Sequence, residues 1–154
     1  PTSGWQKIGF RESQAEGGTA SEPLSYRFTD ENVPYTADSI SYRLRQVDTD
    51  GGATLTDPVT IARSGPERLR LLGTFPNPAR QRATVRYGVP ESTEGDVRLR
   101  LYDVLGRQVR TVAATKEAGR HEARLDVDGL SSGVYILRLR SSGEAVTRKL
   151  TVIR

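Results

Sequence analysis

The chain has 154 residues, 35% of them apolar, and no stretch approaches the roughly 18 to 20 apolar residues that a membrane-spanning helix requires. It contains no cysteine, which excludes disulfides, thiolate metal sites and a cysteine nucleophile. Residues 1–63 carry six basic and nine acidic side chains against 17 and ten in 64–154, so the net positive charge of +4 has its pole in the C-terminal part.

The sequence opens on Pro1-Thr2-Ser3-Gly4 and has no methionine, which predicts the tail of a larger protein whose export signal, if any, lies upstream. Period-two alternation, the mark of half-buried strands, appears first at 5–10, 25–29, 39–47 and 54–62. A polar glycine-rich loop with Gly17-Gly18-Thr19 separates the first two segments, and Asp48-Thr49-Asp50-Gly51-Gly52 between the last two predicts a hairpin. Four strands are few for a sandwich, so 1–63 reads as a small, incomplete β domain. Such a domain would leave an open edge and an uncovered apolar face, conditions that favour self-association. Arg63-Ser64-Gly65-Pro66-Glu67 is short and polar and places the boundary at 64–68, as a stiff hinge.

From there the alternation predicts seven strands, at 69–72, 83–89, 97–102, 108–113, 122–127, 134–140 and 145–152. Turn residues separate them: Pro76-Asn77-Pro78, 90–95, Leu105-Gly106, Glu117-Ala118-Gly119, 128–133 and Ser141-Ser142-Gly143. The chain is therefore expected to be all-β, with a seven-stranded immunoglobulin-like sandwich over 69–154 that lacks the cysteine and tryptophan hallmarks of antibody domains. Its arginines alternate with apolar residues, as in Arg98-Leu99-Arg100-Leu101 and Leu137-Arg138-Leu139-Arg140, which reads as solvated strand faces rather than a dedicated anion site.

Few motifs carry chemistry. Gly129-Leu130-Ser131-Ser132-Gly133 fits the G-x-S-x-G nucleophile elbow, but a strand follows it where the elbow needs a helix, and the only histidine, His121, precedes the serine. A Gly-Ser turn is the simpler reading. Asp48, Asp50 and Gly51 resemble the start of a calcium loop without its later bidentate glutamate, so they too read as a turn, as do Asp126 and Asp128. His121 alone makes neither a metal site nor a dyad, and it reads as a surface residue at a strand start. Tyr87, Tyr102 and Tyr135 fall among inward candidates in an ambiguous phase, and core or corner roles suit them better than a carbohydrate platform.

Three motifs occur in fixed order: Phe75-Pro76-Asn77-Pro78-Ala79, Leu101-Tyr102-Asp103-Val104-Leu105-Gly106-Arg107, and Leu130-Ser131-Ser132-Gly133-Val134-Tyr135 followed by Lys149-Leu150-Thr151-Val152. Together they make 69–154 resemble the type A sorting domain at the end of cargo proteins of the type IX secretion system in Bacteroidetes. Residues 25–62, with Tyr42-Arg43-Leu44-Arg45-Gln46-Val47-Asp48, resemble the fibronectin type III-like segment that often precedes such a domain. The resemblance implies export through the outer membrane, by way of the periplasm, to the cell surface or medium, with the translocon recognising this domain. It further implies a surface sortase that cuts the domain off, here expected at 63–67, and attachment of the cargo to an anionic lipopolysaccharide, or release. On the family pattern, recognition falls on Gly133, Tyr135, Lys149, Leu150 and Arg154, with Pro76, Asn77 and Pro78 shaping the turn into the domain.

Two readings follow. The first is a non-catalytic sorting module without cofactor or metal. The second is an accessory or spacer β-sandwich that holds an upstream enzyme near polysaccharide. An enzyme in its own right is disfavoured, because no acid, base and nucleophile set converges. A nucleic-acid partner and a membrane-spanning role are not expected.

Overall fold

In a computed structural model of the chain every regular element among the described residues is a β-strand. The structure describes residues 4–15, 20–115, 117–141 and 143–154; the glycine-rich loop at 17–19 and the centre of the Ser141-Ser142-Gly143 turn lie outside them. The described residues form two units, one reaching to Pro34 and including Ile40–Ile61, the other combining Tyr35–Ser39 with Ala62–Arg154.

The first unit holds most of β1 (Ser39–Tyr42) and β4 (Val59–Ala62), which pair, and all of β2 (Arg45–Val47) and β3 (Ala53–Leu55), which also pair. The predicted segments at 39–47 and 54–62 each split in two. Leu44 and Thr56 hold the split, because the Thr56 amide donates to the Leu44 carbonyl and the Leu44 amide donates to the Thr56 hydroxyl, both at 3.0 Å. Pro58, which has no amide hydrogen, follows at once and cannot extend a ladder. The Asp48 to Gly52 turn is a hairpin closed by the Asp48 amide on the Gly52 carbonyl at 2.8 Å, and the Gly52 amide donates to the Asp50 carboxylate at 2.9 Å. Strands expected at 5–10 and 25–29 do not form. The two stretches and their neighbours meet through side chains instead: the ring of Phe28 lies against Gly9, and the Gln14 amide donates to the Tyr26 hydroxyl at 3.0 Å. None of this unit's described residues is buried, and Val47, Leu55, Val59 and Ile61 are all more than half exposed.

In the second unit the alternation yields seven strands: β5 (Arg70–Phe75), β6 (Arg82–Val89), β7 (Val97–Tyr102), β8 (Gln108–Thr115), β9 (Gly119–Asp126), β10 (Gly133–Arg140) and β11 (Ala145–Val152). They form two antiparallel sheets, β5-β6-β9 and β11-β10-β7-β8, an immunoglobulin-like sandwich. Each sheet turns one residue in two inward. Leu71, Val85, Leu99, Leu101, Leu125, Leu137, Leu139, Leu150 and Val152 are 2% exposed or less and fill the space between. Tyr87 and Tyr135 are buried, whereas Tyr102 lies on the outward row of β7. The Tyr135 hydroxyl donates to the Ser131 carbonyl at 2.9 Å, a tyrosine corner that satisfies the one polar atom burial would otherwise strand.

The short Tyr35–Ser39 stretch is stitched to this sandwich. The Tyr35 hydroxyl donates to the Tyr87 carbonyl at 3.2 Å, and Arg63 Nη1 donates to the carbonyls of Ala37 at 3.2 Å and Tyr35 at 3.5 Å. Arg120 donates to the Ser64 carbonyl. Pro66 packs so closely on Gly88 that a Cβ there would meet the proline ring at 2.9 Å, so glycine is required at position 88.

Leu99→Ala empties part of this core and is expected to cost about 2–5 kcal/mol in denaturant unfolding. Leu55→Ala, at an already exposed site, is expected to stay within about 0.5 kcal/mol. A loss at Leu55 as large as that at Leu99 would contradict the exposure seen at Leu55.

Candidate functional site

β11 is an edge strand, and an edge leaves a row of backbone donors and acceptors unpaired. The turn after β5 closes part of that row. The Asn77 carboxamide acts as a short piece of strand: its Nδ2 donates to the Lys149 carbonyl at 3.3 Å, and its Oδ1 accepts the Thr151 amide at 3.0 Å. The Ala79 amide donates to the Thr151 carbonyl at 2.8 Å and the Ile153 amide to the Ala79 carbonyl at 2.9 Å, a parallel bridge between Ala79 and Val152. Proline suits the positions on either side of Asn77 because neither has an amide to satisfy. The peptide bonds before Pro76 and Pro78 are both cis.

The chain end is tied to a third segment. The Arg154 amide donates to the Ser132 hydroxyl at 3.1 Å and its Nε to the Leu130 carbonyl at 3.3 Å, while Gly133 pairs with Val152. Pro76, Pro78, Arg80, Gln81, Arg82, Asp128 and Arg154 line one open depression at this end of the sandwich. Further along β11, the Arg148 Nε donates to the Leu71 carbonyl at 2.9 Å, beside the bulge that shifts the β5–β6 register between Leu71 and Gly73.

Of the residues assigned to recognition, Gly133, Lys149 and Arg154 are exposed, and so are Pro76, Asn77 and Pro78. Tyr135 is 8% exposed and Leu150 0%, so in the folded domain they offer a partner no side-chain surface and instead hold β10 and β11 in place. Lys149 stands opposite Ile136 on the outer face of the sheet, away from the depression that gathers Pro76, Pro78 and Arg154. Sequence reasoning missed Arg80 and Arg82, which no motif flags because they follow a turn whose direction the sequence leaves open, and it read Asp128 as a turn residue only.

The middle motif builds a separate, rigid turn between β7 and β8. Asp103 Oδ1 accepts the amides of Leu105 at 3.0 Å and Arg107 at 2.9 Å, and Oδ2 accepts Arg107 Nε at 2.7 Å. Gly106 takes φ of 78°, which a residue with a Cβ rarely adopts. The Arg107 side-chain bond, with the backbone amides, holds the Asp103 carboxyl below its ordinary range. Val104 and Leu105 stand out from this turn, 72% and 74% exposed.

The weighed catalytic motifs take structural parts. Gly133 begins β10, so a strand and not a helix follows Ser131. His121 is half-buried rather than a free surface side chain: its ring stacks on Tyr87 at 5.1 Å between centroids, and Nε2 lies 2.9 Å from the Glu117 carbonyl.

Asn77→Ala removes both arms of the clamp. It is expected to cost about 1–2 kcal/mol and to speed hydrogen exchange at the Thr151 amide, read by NMR, while the Leu99 amide is little changed. For Asp103, a depressed folded value means its stabilising contribution is complete above about pH 4 and is lost as pH falls through the folded value. A carbon-detected NMR titration is expected to place the Asp103 midpoint below the ordinary aspartate range, and Arg107→Gln to raise it.

Two comparisons bear on what this domain is. No curated protein matches the chain. The family model described as the secretion system C-terminal sorting domain matches residues 73–153, which runs from the bulge in β5 to the residue before the chain end and takes in all three motifs. That span is more than half of the chain, and the chain belongs to the secretion system C-terminal sorting domain family.

Proposed function

We propose that this chain is the non-catalytic module that commits its parent protein to type IX secretion, and that the translocon reads it as a folded surface at the end of the sandwich where the chain terminates. Family membership supports the sorting role, contact with secretion machinery, and export to the cell surface or medium. The observation that carries the finer reading is the closure of the Pro76-Asn77-Pro78 turn onto β11, which brings the beginning and the end of the domain into one surface. In this reading Arg154, Pro76 and Pro78 present one face of the surface and Lys149 another. Asn77 and Gly133 set the backbone, and Tyr135 and Leu150 support it from within. A partner that recognises such a surface needs the domain folded.

The remaining steps belong to the same proposal. The parent protein passes through the periplasm, a surface sortase cuts within 63–67, and the cargo is joined to an anionic lipopolysaccharide or released. The segment before the cut, 25–62, is read as fibronectin-like, its paired short strands being the supporting feature. Domain limits of 1–63 and 69–154 go with that cut site.

The test fuses the full 154-residue chain behind a signal peptide and a fluorescent reporter, in a host with a working type IX translocon and in one lacking it. Surface or medium signal is expected only in the first host. Lys149→Ala and Arg154→Ala are expected to lower it severalfold with the melting temperature of the purified chain within a few degrees of the parent's. Export in both hosts would contradict the sorting role. Normal export of both variants would contradict the assigned surface while leaving the role intact.

A further inference from the structure

The alternation that buries Leu99, Leu101, Leu137 and Leu139 turns Arg98, Arg100, Arg138 and Arg140 to the opposite, outer face of the four-stranded sheet. The register sets Arg98 directly across from Arg140 and Arg100 directly across from Arg138. Lys149 adds a fifth cation from β11. Like charges directly opposite one another destabilise a sheet, so two consecutive arginine pairs are a cost that folding does not explain.

Nothing within the sheet offsets it. The outward positions of β7, β10 and β11 contain no carboxylate. Arg98 reaches Asp96 at 3.3 Å, but among the described residues no carboxylate pairs with Arg100, Arg138, Arg140 or Lys149. The Nε of Arg100 is shut away from solvent and makes no hydrogen bond. Around the cations stand hydroxyl groups, Thr147 across from Arg138 and Thr111 across from Arg100. A row of guanidinium forks and hydroxyls on an open sheet face matches an extended chain with repeated carboxylate or phosphate groups.

We infer that this outer face binds an acidic polysaccharide. Tyr102 is the only aromatic residue in the outward rows of β7, β10 and β11, so nucleotide bases would find no succession of rings to stack on. An acidic polysaccharide offers repeated carboxylates to the guanidinium forks and hydroxyls to the threonines, and the family's export role takes the protein to the cell surface or medium, where such chains occur. That last step rests on the sorting reading, whereas the binding itself does not.

The test uses the purified full chain and fluorescein-labelled polygalacturonate, with neutral dextran and a single-stranded oligonucleotide of equal charge as comparators, read by fluorescence anisotropy. The parent chain is expected to bind polygalacturonate and not dextran, and to weaken by roughly tenfold or more from low to physiological salt. Arg100→Ser with Arg138→Ser is expected to lose most of the binding and to melt no lower than the parent, because a like-charge pair has been removed. Arg98→Ser with Arg140→Ser repeats the test at the other pair, so misfolding of one variant does not decide it. Arg124→Ser, on the outer row of β9, is expected to leave binding unchanged. Unchanged binding in a folded pair variant, no binding by the parent chain at low salt, or equal affinity for the oligonucleotide would each overturn the inference. Because nothing is exported in this experiment, its outcome is independent of whether the chain sorts its parent.

Discussion

The end of this domain depends on how the last strand's outer edge is closed. β11 has β10 on one side and no strand of its own sheet on the other. An edge left open there would expose the amides of Thr151 and Ile153 to any chain able to add a strand. One carboxamide and one residue of backbone prevent it, Asn77 on Lys149 and Thr151, and Ala79 on Thr151 and Ile153. The closing segment continues β5, so the first strand of the sandwich seals the last. Arg154 is then held against the turn before β10, and Pro76, Pro78, Arg80, Arg82 and Asp128 gather around it. A short tail thereby becomes part of a rigid surface.

The two faces of the four-stranded sheet do different work. Its inner face, with Leu99, Leu101, Leu137 and Leu139 essentially without exposure, supplies the burial that stabilises a chain with no disulfides. Its outer face concentrates cations whose mutual repulsion lowers stability. The three-stranded sheet contrasts with it, since there Arg86 meets Glu122 across the β6–β9 ladder at 2.7 Å, the arrangement in which cross-strand charges help. Among the described residues no such cross-strand ion pair spans the outer face of the four-stranded sheet, where arginines stand opposite arginines instead. The difference points to a ligand for the second.

Where one face of a strand is buried, the sequence carries the fold openly. The bounds expected for the strands at 97–102 and 145–152 match the structure, and the other five differ by one to three residues at one or both ends, because the core needs every second residue to be apolar. Among the first unit's described residues none is buried, so alternation there has no core to answer to, and the segments at 5–10 and 25–29 alternate without pairing. His121 was illegible for a related reason, as its surroundings depend on Tyr87 in a neighbouring strand. Among the candidate site residues, the motif strings contain Asn77, Gly133 and Lys149, but no string separates a buried Leu150 from an exposed Lys149 without strand phase. Arg80, Arg82 and Asp128 become neighbours of Arg154 only through three-dimensional closure. The paired arginines could be read as outward from alternation, whereas their direct opposition required the register.

The central claim is that the translocon meets the folded edge around the chain end. Site-specific photo-crosslinking in a secreting cell tests it most directly, with the probe placed in turn at Arg154, at Lys149 and, as a distant control, at Arg124. Crosslinks to a translocon component are expected from the first two positions and none from the third, and they are expected to weaken when the core variant Leu99→Ala destabilises the domain. Equal crosslinking from all three positions, or crosslinks that persist from an unfolded domain, would contradict it.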